Sequence, residues 1–353
     1  MQSENPKKNN NGHVGELLRL CEAPGITGFE RGAAETAAEL LRPFCDSVEI
    51  DPFGSVLGLR RCGHPHAKTV LLDAHIDQIG FLVTEVLEGG FLRFAPVGGV
   101  DPRMLLGCEV EILTPEPLFG IISCTPPHLL KPGEEKKSIP IHKMLIDTGL
   151  IDARGVIPVG TPIVFAEKPV QLTSDSVTGK CLDDRAGVFA ILEAVRRLRE
   201  APLAVDLAVQ FSVQEEVTSL GAMTGAFRVL PDFAIAVDVS HAKTPDAPAD
   251  STFDYGGGVM IGMGPNFNTP LTKSLIKTAK AEGIDYQLEV MEGNTGTNAW
   301  EMQIAATGTA MGLLSIPLRY MHTPIESIRL SDLESVSDLL YHFLRKFEGE
   351  VRL

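Results

Sequence analysis

Apolar runs in this chain keep stopping at residues that ligate metals. VLLDAHID closes on His75 and Asp77, LAVQFSVQEE on Glu215 and Glu216, FAIAVDV carries Asp238 near its end, and LLSIPLRYMH finishes at His322. GKCLDDRAG sets Asp183 and Asp184 at the head of a helical stretch. Apolar runs without polar alternation are how strands covered on both faces read. Open α/β sheets gather their chemistry beyond the carboxyl ends of such strands. The pattern therefore calls for an α/β sheet whose strand ends converge on one pocket.

The chain can afford such a sheet, since 353 residues with 44% hydrophobic content bury a full core in one large domain or two ordinary ones. A formal charge of -15 argues against nucleic acid or an anionic membrane as partner, because both demand a basic surface. No apolar stretch reaches the roughly 18 to 20 residues that span a bilayer. The polar start, MQSENPKKNNNGH, lacks a signal-peptide core and reads as a flexible tail over residues 1–13. Six dispersed cysteines with no CxxC pair suggest neither a disulfide framework nor a zinc knuckle, and a reduced cytoplasm is the expected home. Cys181 stands two residues before Asp183 and invites a nucleophile reading; a small buried apolar residue is the preferred one.

Helical spacing predicts helices over about 15–21, 30–44 and 184–200, the last with Val188, Ile191, Leu192, Val195 and Leu198 on one face. SVEIDPFGSVLGLR reads as a hairpin. Between Ile79 and Gln171 the character changes to short alternating segments broken by Gly and Pro, which reads as a small β-barrel or sandwich. Within it, PPHLLKPGEEKKSIPIHK reads as an exposed loop. After Leu172, strands LAVQFSV, FAIAVDV, GVMIGM, YQLEV and TAMGLLSI alternate with helices. The expected architecture is a three-layer α/β/α domain made of residues 14–78 and 172–353, interrupted by a β domain over 79–171.

Imidazole and carboxylate ligands suit divalent zinc, cobalt or manganese, and two ions about 3.5 to 4 Å apart need a carboxylate between them. His75, Asp183 and Asp238 are assigned to one ion, and His322, Asp183 and Glu216 to the other, with Asp183 as the bridge. Two dications are then neutralised by three carboxylates and one ionised water. Asp77, two residues from His75 on an extended strand, can orient the imidazole. Adjacent side chains on an extended segment diverge, so Glu216 can bind metal while Glu215 acts as the general base towards a carbonyl and its leaving amine. Each residue also has a plainer reading: a hydrogen-bonded surface histidine, solvated glutamates after a strand, or helix N-capping, the role favoured for one of Asp183 and Asp184. Asp238 in so apolar a run is harder to dismiss, because an unpartnered buried carboxylate is costly.

At AHIDQIGFLV, LIDTGLIDARGVIPVGTPIVF, GKCLDDRAG, VQEEVTSLGA, AVDVSHA and LRYMHTPIES the chain resembles the dinuclear metallo-aminopeptidases that include glutamyl, deblocking and tetrahedral aminopeptidases. The resemblance implies a phosphorylase/hydrolase-like catalytic domain and an inserted PDZ-like barrel used to form dimers that build dodecamers. It implies two divalent ions, usually zinc or cobalt, on His75, Asp183, Glu216, Asp238 and His322, with Glu215 as general base and Asp77 supporting the first histidine. The implied reaction removes amino-terminal residues from peptides. Gln78 and Asn298 stand where carboxylates are usual in the family, and Ser240-His241-Ala242-Lys243 replaces its usual run. Loss of those carboxylates is expected to weaken the pull on a cationic amino group. A deacylase could use the same water chemistry, and an inert assembly scaffold is the non-enzyme alternative. Some relatives carry an endoglucanase label, but glycosidases need two carboxyls about 5 to 10 Å apart without obligatory metal. One tryptophan and four tyrosines also offer little for sugar stacking.

Overall fold

The computed structural model describes residues 13–130 and 139–351. Most of the expected tail and the centre of the proline- and charge-rich loop lie outside the described residues. The chain opens with helices α1 (Val14–Glu22) and α2 (Arg31–Leu41), the hairpin β1 (Ser47–Ile50) and β2 (Val56–Arg60), and strand β3 (Thr69–His75). Six short strands follow: β4 (Gly80–Val86), β5 (Phe91–Val97), β6 (Glu109–Ile112), β7 (Leu118–Ser123), β8 (Leu145–Asp147) and β9 (Pro162–Phe165). The remainder runs β10 (Val170–Thr173), β11 (Ser176–Gly179), α3 (Leu182–Leu198), β12 (Asp206–Ser212), α4 (Leu220–Val229), β13 (Phe233–His241) and β14 (Val259–Met263). It ends α5 (Thr269–Glu282), β15 (Tyr286–Val290), α6 (Asn298–Met302), β16 (Ala310–Leu318), β17 (Glu326–Arg329) and α7 (Leu330–Lys346).

Eight strands form one sheet in the order β1-β2-β12-β3-β13-β16-β14-β15. Alternate residues point to opposite faces, and the two faces carry different helices. Val70, Leu72 and Ala74 of β3 join the core built with α1, α2, α3, α5 and α7. Leu71 of β3 joins a second core with Ala222 and Ala226 of α4 and Ala299 and Met302 of α6. The result is the three-layer α/β/α arrangement.

Strands β4-β5-β8-β7-β6-β9 close into a barrel, so the alternating segments form a barrel and not a sandwich. Closure comes from pairing of β4 with β9, Phe81 opposite Ile163, which local patterning cannot reveal. Phe81 fills the barrel, edge-on to Phe94 at 5.0 Å and to Phe165 at 5.4 Å. A separate three-stranded sheet, β10-β11-β17, pairs Gly179 with Glu326.

Two helix boundaries differ from expectation for local reasons. The helix predicted to reach residue 44 ends at Leu41 and passes into a 3-10 turn over Arg42–Phe44. Pro43, without an N–H, cannot continue the α-helical ladder. Helix α3 starts earlier than residue 184, yet Asp183 and Asp184 inside it are non-helical, with ψ of 106° and 39°.

Candidate metal and catalytic site

Strands β12, β3, β13 and β16 lie side by side and parallel, so their carboxyl ends open on one crevice. Ser212 pairs with His75, which puts the segment bearing Glu215 and Glu216 beside that imidazole. Ala236 pairs with Asp73, so continuing two residues along each strand sets Asp238 level with His75 on the α4/α6 face. Asp183 enters from the head of α3, and His322 from the turn between β16 and β17.

These side chains meet. His75 Nε2 lies 3.0 Å from Asp183 Oδ1, and His322 Nε2 lies 3.3 Å from both Asp183 Oδ2 and Glu216 Oε2. Ligand atoms of His75, Asp183 and Glu216 fall within 4.8 Å of one another, as do those of His75, Asp184 and Asp238. Of the Asp183–Asp184 pair, for one member of which helix capping is the favoured reading, it is Asp184 whose Oδ1 accepts the Gly187 N–H at 2.9 Å. Its buried Oδ2, however, has no hydrogen-bond partner and belongs to the second group of ligand atoms. Two imidazoles and several buried carboxylates, one oxygen unpartnered, are a donor set that fits divalent cations of the zinc or cobalt type.

Asp77 contacts more than the His75 imidazole. His75 Nδ1 sits 3.2 Å from the Asp77 carbonyl and 3.5 Å from its Oδ1. The same carboxylate accepts the N–H groups of Glu215 and Glu216 at 2.9 and 3.2 Å and the Thr27 hydroxyl at 2.8 Å. Thr27 carries no ligand-type side chain and gave no signal in the sequence. Glu215 Oε2 stands 4.0 Å from His75 Nε2, off the tighter contacts and facing the cavity.

Burial and carboxylate crowding set the electrostatics. Desolvation, reinforced by neighbouring aspartates, pushes Glu216, Asp184 and Asp238 well above the usual carboxylate range. Desolvation also raises Glu215, to about 7. Asp183 is the exception: burial would raise it, but hydrogen bonds from His322 and His75 outweigh burial and hold it low. A cation relieves this crowding more effectively than protons do.

A cavity of about 330 Å³ opens over these groups, walled on its far side by Asn294, Thr297, Trp300 and Glu301. A profile of the M42 glutamyl aminopeptidases matches residues 54–339. The chain belongs to this family. It is therefore a peptide hydrolase, and its M42 relatives extend over nearly its whole length. It is 31% identical to the lysyl aminopeptidase of Pyrococcus furiosus over 339 residues, 94% of this chain and 96% of that one. Among solved structures, the TET aminopeptidase of a marine-sediment Thaumarchaeota archaeon superposes with a TM-score of 0.90 at 30% identity, covering 95% and 97% of the two chains. The TET1 peptidase of Pyrococcus horikoshii, which assembles into a tetrahedron or an octahedral shell, gives 0.82 at 29% identity, covering 95% and 99%.

Asn298 and Gln78, at which the family resemblance calls for carboxylates, are both buried. Asn298 does not wall the cavity; it is buried beneath it, donating to Asp73 Oδ2 and Ser212 Oγ at 2.8 Å each. Gln78 is buried too and accepts the Cys181 thiol through Oε1. Neither side chain lines the cavity over the ligand atoms. Cys181 itself is buried, and desolvation pushes its thiol up to about 11, which leaves no thiolate for nucleophilic work.

Another contact in this M42 site comes from the barrel side. The Gly99 carbonyl, just beyond β5, faces His322 Nδ1 at 2.7 Å. Accepting that N–H fixes the tautomer that leaves Nε2 free towards Asp183 and Glu216. A Cβ at residue 99 would come within 2.8 Å of the same nitrogen. Gly99→Ala is therefore expected to displace His322 and lower kcat/KM about 10-fold, with little change in melting temperature, measured by peptidase assay and thermal unfolding.

Proposed function

We propose that this M42 protein is a two-metal aminopeptidase that removes amino-terminal residues from short peptides. The observation that carries the reading is Asp183 held between two imidazoles, 3.0 Å from His75 and 3.3 Å from His322, with Glu215 beside them facing the cavity. His75, Asp183 and Asp238 would hold one divalent ion, and His322, Asp183 and Glu216 the other. Asp184 stands close enough to share the first set. When bound, such ions polarise a carbonyl and acidify a water.

The chain's own residues supply the rest. Glu215 takes a proton from the attacking water and returns it to the leaving amine. Asp77 fixes the Glu215–Glu216 segment through both N–H groups, so the base and the ligand cannot exchange places. The cavity, about 330 Å³, lies at the small end of ligand pockets and suits the first residues of a peptide. Uncommitted carboxylates such as Glu301 on its wall favour a free, cationic amino terminus.

Zinc or cobalt is the proposed metal. The TET1 relative assembles into large shells; this protein is likewise proposed to form homo-oligomers, dimers that build to a dodecamer, in the cytoplasm. No helix among the described residues is long and apolar enough to cross a membrane.

The test is a panel of aminoacyl p-nitroanilides and short peptides, each free and amino-acetylated, with metal-free protein and protein reloaded with zinc or cobalt. Hydrolysis of the free-ended substrates is expected, abolished by a chelator and restored by metal. Faster release from acetylated substrates would replace the reading with a deacylase. Inertness of the fully loaded protein across the panel would leave only a scaffold.

A further inference from the structure

Glu326 is absent from every role considered so far, yet it is almost fully buried next to the ligands. Its Oε2 accepts the backbone N–H of Asp183 at 3.1 Å, and its Oε1 accepts that of His322 at 2.9 Å. It sits where the small sheet brings the two ligand-bearing segments together. Strand β11 ends at Gly179, just before Asp183, and pairs there with Glu326, just after His322. His322 and Tyr320 both adopt left-handed backbone, φ of 61° each, a conformation that non-glycine residues hold only when surroundings enforce it.

We propose that Glu326 is a positioning residue, one carboxylate that clamps the backbones of Asp183 and His322 in register so that their side chains face the same ion. The proposal rests on the two-metal reading above. The geometry makes the demand specific. A carboxylate offers two acceptor oxygens and no donor, which is what two converging N–H groups require. An amide of the same shape offers one acceptor, and its NH₂ meets the other N–H donor to donor. Glu326→Gln thus keeps the volume and releases one of the two segments.

A comparison within the same molecule separates positioning from plain support. Asp332 is also buried and also accepts two backbone N–H groups, those of Gly256 and Gly258 at 2.8 Å each, but these belong to no ligand segment. Cobalt is titrated into metal-free wild type, Glu326→Gln and Asp332→Asn, followed by calorimetry and visible absorption, with melting temperatures recorded before metal is added. The expected result is that Glu326→Gln binds cobalt about 10- to 100-fold more weakly, with an altered absorption band, while Asp332→Asn lowers the melting temperature and binds cobalt like wild type. In turnover, Glu326→Gln is expected to lose kcat while KM holds.

Equal cobalt affinity in Glu326→Gln and wild type would overturn the positioning role and leave the two-metal reading standing. So would equal weakening in both variants, which would mark general destabilisation. Wild-type protein that takes up no cobalt at all would overturn the two-metal reading, and this proposal with it.

Discussion

Glu215→Gln is expected to bind as much zinc or cobalt as the wild type and to lose about 10²- to 10⁴-fold in kcat, the range that a general base contributes. The side chain sets this expectation. Glu215 faces the cavity, lies 4.0 Å from His75 Nε2 and takes no part in the short contacts among Asp183, Glu216 and His322. Its backbone is held by Asp77 through an N–H that the substitution leaves intact. The amide therefore occupies the same place and accepts no proton. Metal content by elemental analysis and kcat from single substrates check the two halves separately. Undiminished turnover removes Glu215 from the mechanism, whereas lost metal moves it into the ligand set.

Asp183→Asn is expected to cost metal as well as turnover, because one carboxylate serves both imidazoles. Its two oxygens lie 3.0 Å from His75 and 3.3 Å from His322, and those contacts hold its charge in a setting where neighbouring acids are driven towards neutrality. An asparagine keeps one acceptor and loses the charge that would be shared between the two proposed cations. Metal stoichiometry should fall from two ions to one or none, and kcat/KM on the order of 10³-fold, the loss of several kcal/mol of transition-state stabilisation. Calorimetric titration with zinc measures the first quantity and peptide hydrolysis the second. Two ions bound at wild-type affinity would exclude Asp183 as the bridge.

The parts legible in the sequence are those where one residue's side chain does the work. Runs such as TVLLDA and FAIAVDV stay apolar because central parallel strands are covered on both faces, and His75 and Asp238 stand out against them. Once four such strands lie parallel, the chemistry at their ends must come together. What the sequence could not display is work done through the main chain. Gly99 acts by a carbonyl, while Thr27, whose side chain is of no ligand type, holds Asp77 by its hydroxyl. Glu326 acts on two N–H groups. Its position four residues after His322 in HTPIES was the available signal, and nothing in its residue type separates it from a solvated glutamate. Asn298 shows the reverse error. Its sequence context suggests a charge lost near the site, but only the packing of α6 against β3, β13 and β16 reveals that it bonds downward to Asp73 and Ser212. Barrel closure was hidden for a similar reason, since it depends on strands about eighty residues apart meeting edge to edge.

The Gly99 carbonyl has a consequence for the economy of the whole chain. An add-on module used only for assembly could be trimmed away to leave a smaller working hydrolase. Here the excursion through six strands returns an acceptor to one of the two imidazoles, so a miniaturised version lacking the barrel would keep every acidic side chain of the site and still leave the His322 ring without its Nδ1 partner. The active centre is stitched from both halves of the architecture, and shortening either one unpicks it.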